Sequence, residues 1–297
     1  MPLDYDKLMR LKLEPTRQTY SRRDTMLYAL GVGVGVSTPH DPGELKYVYE
    51  RDLVALPTMA VTLAADAMKF ADPAFGINYR MLLHAEQSLL AHKPLPVAGT
   101  VIGESTIDEI YDKGAAKGAI MYMTRKLYDA ANGDLLVTLG LVAFLRGDGG
   151  FGGKSEGAPK PRAVPNRAAD ITVPLPVALN QALIYRLSGD YNPLHIDPKV
   201  AGSAGFDRPI LHGLGAYGMV GRALIKVLCG DDPARLRRLD VRFTNPVFPG
   251  EALRLEIWRI ADGDAAFRLV ASERDAVVED FGVVEYEMAR GGWSNSA

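Results

Sequence analysis

The sequence predicts an α+β protein built from two similar halves, each a long helix with an antiparallel sheet of several strands. Three observations lead there. Residues 146–170, "RGDGGFGGKSEGAPKPRAVPNRAAD", are rich in glycine and proline, lack apolar periodicity and divide the chain near its midpoint. "YALGVGVGVSTPHD", which begins at Tyr28, resembles "YRLSGDYNPLHID", which begins at Tyr185, an interval of 185 − 28 = 157 residues. Alternating apolar and polar stretches then recur in both halves, as expected of strands with one buried face.

The elements follow in order. "LPTMAVTLAADAM" is set against "RPILHGLGAYGMVGRAL", and each is expected to supply the central helix of its half. In "AYGMVGRALIKVL" the apolar residues fall at helical spacing. "HKPLPVAG" resembles "TNPVFPGE" once one residue is inserted. The strands come next: "AIMYMTRKLYD" and "LLVTLGLVAFLRG" in the first half, "LRLEIWRI", "AFRLVASERD" and "VVEYEMAR" in the second. The expected division is a first repeat over 1–150, a linker over 151–168 and a second repeat over 169–297.

Composition narrows the function. The chain has 297 residues, 47% hydrophobic and 24% charged, ordinary for a globular protein. Its 34 basic and 36 acidic side chains give a net charge of −2, so no nucleic-acid partner is expected. The single cysteine, Cys229, excludes an intrachain disulfide and a cysteine-built metal site. No apolar run reaches membrane-spanning length, "MPLDYDKLMRLKLEP" lacks a signal-peptide core, and "WSNSA" is not a Ser-Lys-Leu address. A cytoplasmic protein with no membrane association is expected. The five histidines show no i, i+4 ligand pair, so no metal is expected; "GVGVG" lacks the dinucleotide spacing, and no G-x-S-x-G elbow occurs.

"SGDYNPLHIDP", residues 188–198, concentrates Asp190, Asn192, His195 and Asp197 around Pro193. Pro193 prevents an undisturbed helix, and a turn that folds back brings Asp190 and His195 around one water. A carboxylate and an imidazole are the natural acid–base pair near neutral pH. The plainer alternative is an Asx turn, with Asp197 capping the next helix. At the 157-residue interval Asp190 falls on Gly33 and His195 on Thr38, so only the second half carries ionisable groups there. One site per chain is expected, with the apolar, glycine-rich region around Gly33 free to supply wall and depth for a substrate.

"YRLSGDYNPLHIDP" followed by "GFDRPILHGLGAYG" resembles the signature of the (R)-specific enoyl-CoA hydratases, also called hydratase 2 or MaoC-like dehydratases. "RDTMLYALGVG", "LLHAEQSLLAHKPLP", "DKGAA" and "RGDGGFGG" resemble the first half of the two-repeat members. The resemblance covers nearly the whole chain. It implies a double hotdog fold and reversible syn hydration of a trans-2-enoyl-CoA to an (R)-3-hydroxyacyl-CoA. An acyl-CoA thioester is then the partner, no cofactor is needed, and a homodimer is the assembly entertained.

The resemblance also implies roles. Asp190 and His195 form the catalytic pair, Asn192 steadies the site, and the Gly213 amide holds the thioester oxyanion. His84 and Ala85 match a CoA-contact position that usually reads His-Gly, so Ala85 departs from the pattern. Lys113 is expected near the CoA phosphates, Phe243 lines the substrate site, and His212 is structural. Rival readings are a thioesterase or a dehydratase of branched dicarboxylic acyl-CoAs on the same scaffold, and a non-catalytic acyl-binding subunit.

Overall fold

In a computed structural model the structure describes residues 3–65, 70 and 72–288; the end of "LPTMAVTLAADAM" and the C-terminal "WSNSA" lie outside them. Ten antiparallel strands form one sheet: β1 (Thr16–Tyr20), β2 (Leu82–Ala91), β3 (Gly99–Asp112), β4 (Ala119–Asp129), β5 (Leu135–Leu145), β6 (Ile171–Pro176), β7 (Leu236–Phe243), β8 (Ala252–Ala261), β9 (Asp264–Ala271) and β10 (Ala276–Tyr286). Their spatial order is β1-β3-β4-β5-β2-β7-β10-β9-β8-β6. From its outer edge inward, each half runs first, third, fourth, fifth, second, so the two halves share one topology.

The halves join where β2 meets β7, from Glu86 opposite Arg242 to Leu90 opposite Arg238. Arg242 Nε donates to Glu86 Oε1 at 2.7 Å across that seam. Residues 146–170 carry only turns, bends and irregular backbone between β5 and β6.

Among the described residues six α-helices accompany the sheet: α1 (Tyr5–Met9), α2 (Arg22–Gly31), α3 (Pro42–Leu45), α4 (Gln181–Tyr185), α5 (Pro198–Ser203) and α6 (Gly213–Leu228). The long helix expected in the second half is α6. Its apolar face enters a core shared by both halves, where Tyr217 donates its hydroxyl proton to the Leu239 carbonyl at 2.8 Å. A Cβ at Gly221 would stand 2.6 Å from Thr58 Cγ2, and one at Gly218 2.7 Å from the Tyr28 hydroxyl. Glycine here lets the first half approach the helix backbone closely.

The expected long helix of the first half is replaced, among the described residues, by the short 3₁₀ segment Pro57–Thr62. Pro57 to Val61 are all buried, so no polar face exists to select an amphipathic helix. Ala64 then takes φ 47, outside the helical region. Side chains satisfy the backbone that a helix would have satisfied: Gln18 Oε1 accepts the Ala64 N–H at 2.6 Å, and Arg125 Nη2 donates to the Val61 carbonyl at 2.8 Å.

The repeat is visible at its centre. Tyr28 on α2 and Tyr185 on α4, the two residues 157 positions apart, face each other with ring centroids 6.1 Å apart. A Cβ at Gly31 would come within 3.0 Å of Tyr185 Cα, which measures how closely α2 and α4 pass.

Candidate active site

The turn after α4 is built by its own polar side chains. Asp190 Oδ1 accepts the Asn192 N–H at 3.2 Å, and Asn192 Oδ1 accepts the Leu194 N–H at 3.1 Å. Pro193 opens the 3₁₀ turn Pro193–His195, for which Asn192 is the N-cap. Asp197 caps α5 by accepting the Lys199 N–H at 2.8 Å. The Asx turns are therefore present, and they also bring Asp190 and His195 together.

A third group completes the cluster. One side-chain atom each of Asp190, His195 and His212 lie within 4.8 Å of one another. The rings of His195 and His212 stack with centroids 3.7 Å apart and planes at 26°. His195 Nδ1 stands 2.9 Å from the Ile210 carbonyl oxygen, and His212 Nε2 stands 3.2 Å from that of Asp190. A carbonyl only accepts, so His195 carries its proton on Nδ1 and presents a bare Nε2. His212 carries its proton on Nε2 and holds the backbone of the Asp190 turn.

Burial, opposed by the Ile210 bond and Asp190, holds the His195 pKa below the usual histidine value. Burial and the neighbouring His195 bring that of His212 down to about 4. Both rings are thus neutral at pH 7. Stacked rings hold their in-plane lone pairs side by side, whereas a metal needs donors converging from different directions. The cluster suits proton transfer better than metal ligation.

Gly213 begins α6 directly after His212, is exposed, and has no side-chain cap. The first amides of a helix lack intrahelical acceptors and sit at its positive end. The Phe243 ring lies over this start, 3.4 Å from where a Cβ at Gly213 would be. His84 meets Phe243 edge-on at 5.3 Å, so first-half and second-half residues share one wall. His84 Nε2 donates to the Glu86 carbonyl at 3.1 Å; burial first, then the charge of Arg125, brings its pKa down to about 4. Ala85 falls where the β2–β5 register shifts between His84 and Glu86, which marks a bulge.

Lys113 lies apart from this group of contacts, at the start of the β3–β4 connection, where Nζ donates to the Ser155 carbonyl at 2.5 Å. Gly33 is no groove wall. It is buried at φ 83 with Arg222, Gln181 and Met219 side-chain atoms 3.8–3.9 Å from its would-be Cβ, and Thr38 is exposed. Sequence reasoning missed two neighbours of the cluster. Burial and then Asp190 raise the pKa of Tyr79, and burial, Tyr28 and then Asp190 raise that of Tyr185, whose ring also lies 4.9 Å from that of His212. Tyr79 carries no local sequence signal for this role, whereas Tyr185 opens the signature stretch "YRLSGDYNPLHIDP".

Residues 161–279 match the MaoC-like domain family, and residues 18–147 match the MFE-2 hydratase 2 N-terminal domain family. The chain is 42% identical over 282 residues to the 3-hydroxyacyl-thioester dehydratase Y of Mycobacterium tuberculosis, covering 92% of this chain and 95% of that one. It is 39% identical to the peroxisomal enoyl-CoA hydratase 2 of Arabidopsis thaliana, covering 85% and 86%. Among solved structures, a MaoC-like dehydratase from Phytophthora capsici superposes with a TM-score of 0.84 at 36% identity, over 96% of this chain and 99% of that one. A Mycobacterium tuberculosis protein described as having a double hotdog fold superposes with a TM-score of 0.56 at 15% identity, over 96% and 98%, and identifies the architecture. With a MaoC-like second half, a hydratase 2 first half and relatives matched over almost their whole length, the chain belongs to the MaoC-like dehydratase family in its two-repeat, double hotdog form.

Proposed function

We propose that this chain is an (R)-specific enoyl-CoA hydratase that adds water reversibly across the double bond of a trans-2-enoyl-CoA. The observation that carries the reading is the Asp190–His195 pair beside the start of α6, with a bare His195 Nε2 fixed by the Ile210 carbonyl. A water held between His195 Nε2 and the Asp190 carboxylate bonds through its oxygen to C3 and gives up a proton to the pair. The double-bond electrons pass to C2 and the thioester oxygen. That oxygen meets the Gly213 N–H at the positive end of α6. The pair then returns one proton to C2 on the same face, which gives syn addition and leaves the enzyme unchanged.

Asn192 acts by shaping the turn, and His212 by holding it from below. His84 and Phe243 place the first-half wall against the reacting centre. The similarity to an enoyl-CoA hydratase 2 and a 3-hydroxyacyl-thioester dehydratase supports the substrate class in both directions of the reaction. The test is turnover of trans-2-enoyl-CoA by the purified chain with product analysis. Hydration keeps the thioester intact. Release of free CoA would mean thioester hydrolysis, and no turnover by the folded chain would mean a binding subunit.

A further inference from the structure

One side of the start of α6 carries a row of aromatic rings. His212, Gly215 and Gly218 stand three residues apart and are neighbours on that side of the helix. The Tyr185 ring lies on the backbone at Gly215, where a Cβ would stand 3.4 Å from its Cγ and Cδ2. The Tyr28 hydroxyl lies against it at Gly218. Ring centroids are 6.1 Å apart from Tyr28 to Tyr185 and 4.9 Å apart from Tyr185 to His212. The row ends at the acid–base pair, because His212 stacks on His195 at 3.7 Å. Tyr28, Tyr185 and His212 are all buried, and they connect α2 of the first half to the reacting groups.

His212 needs this support. Its Nε2 proton goes to the Asp190 carbonyl at 3.2 Å, and its Nδ1 has no partner among the described residues. One hydrogen bond fixes one atom of a ring and leaves its plane free to turn. The His195 and Tyr185 rings set that plane, at distances where aromatic rings attract. The Tyr185 hydroxyl has no partner among the described residues, so the ring itself is what His212 meets. The groups that act on His212 are His195 and Asp190 from the turn after α4, and Arg186 and Tyr185 at the end of α4. Burial first, then the charges of His195 and Arg186 against that of Asp190, keeps His212 neutral.

We propose that Tyr185 is a positioning residue for the hydration: its ring, backed by Tyr28 of the first half, holds the His212 imidazole in the plane that keeps the Asp190 carbonyl and the His195 ring in place. The proposal rests on the hydratase reading above. It also gives the glycines of "HGLGAYG" a task, since side chains at Gly215 and Gly218 would crowd the two tyrosines.

The experiment measures kcat, KM and the pH profile of trans-2-enoyl-CoA hydration for the wild-type chain, Tyr185→Leu and Tyr185→Phe. Leucine keeps apolar bulk and loses the flat face. Its kcat is expected to fall at least about tenfold, as for a small misplacement of reacting groups, with KM changing less than about threefold. Water reaching His212 would bring its pKa toward the ordinary value of about 6.5. A cation stacked on His195 weakens Nε2 as a base, so the acid limb of kcat should move to higher pH in Tyr185→Leu. Tyr185→Phe restores the ring and should recover both kcat and the wild-type limb. A role in core packing alone would lower the Tm of Tyr185→Leu yet leave kcat per folded chain and the acid limb as in wild type, and that result overturns the proposal. Failure of Tyr185→Phe to recover kcat overturns it too, because the hydroxyl would then do the work. If Tyr185→Leu does not fold, NMR of isotope-labelled histidine in the wild-type chain and Tyr185→Phe decides. His212 must carry its proton on Nε2 in both, and a proton on Nδ1, or a ring already charged at about pH 6, overturns the proposal. Failure of the hydratase reading looks different, since the wild-type chain would then not hydrate trans-2-enoyl-CoAs at all.

Discussion

His195 and His212 stack with ring centroids 3.7 Å apart, yet each gives its one ring N–H to a different backbone carbonyl, that of Ile210 and that of Asp190. The two rings therefore divide the work. His212 is committed to the Asp190 turn, and its Nδ1 is buried without a partner among the described residues. His195 keeps Nε2 available toward the Asp190 carboxylate.

Asp190→Asn and His195→Gln should each lower kcat by on the order of 10²–10⁴-fold while leaving the far-ultraviolet circular dichroism unchanged. Both groups serve one water, so the double variant should lose less than the product of the two single losses. Multiplicative losses would show that the two act in separate steps.

The reaction needs His195 neutral. Burial lowers its pKa below the ordinary value of about 6.5, so the neutral form persists to more acidic pH. The acid limb of kcat/KM against pH should fall below pH 6.5. A limb centred above that value would mean that imidazole ionisation is not the titration observed.

Glu279 makes the opposite kind of pH claim. Both its oxygens are buried without partners among the described residues, and burial raises its pKa to about 8. Unfolded, it titrates near 4.5, so between about pH 4.5 and 8 the folded chain binds the extra proton, and stability is lost as pH rises. Glu279→Gln removes this titration. The variant's unfolding free energy relative to wild type should climb through that window by up to about 1.4 kcal/mol per pH unit. A constant difference across the window would place the Glu279 carboxyl in contact with water.

Arg222 Nη1 and Glu44 Oε1 stand 2.6 Å apart and tie α6 to α3 with little solvent exposure. Lys226 lies 3.9 Å from the same carboxylate but is exposed and already bonded to Asp41. Arg222→Ala should therefore cost about 3 kcal/mol or more, because it strands the Glu44 charge. Combining it with Glu44→Gln should recover part of the loss in urea unfolding. Equal losses in the single and double variants would show that the ion pair carries no coupling.

Legibility in the sequence follows distance along the chain. Asp190, Asn192 and His195 sit in one turn whose hydrogen bonds are local, so "SGDYNPLHIDP" was readable as a unit. The repeat was readable too, because the spacing of Tyr28 and Tyr185 survives at the contact between α2 and α4. The first-half helix was misread because "LPTMAVTL" is apolar throughout, and nothing local marks the positive φ of Ala64 or the help it draws from Gln18 and Arg125. Arg125 did leave a trace. It is the one basic residue in the inward register of "AIMYMTRKLYD", but its surroundings depend on strand pairing that no local pattern reveals. The contact of His84 with Phe243 likewise arises only once β2 and β7 pair across the seam.

In the proposed reaction one Asp190–His195 site adds a single water to one face of an enoyl thioester. The most direct measurement incubates the purified chain with a trans-2-enoyl-CoA in heavy water and determines the configuration of the product at C2 and C3. The expected product is an (R)-3-hydroxyacyl-CoA with deuterium at C2 on the same face as the new hydroxyl, and almost none of it from Asp190→Asn. An (S)-product, anti addition or free CoA from the wild-type chain would contradict it.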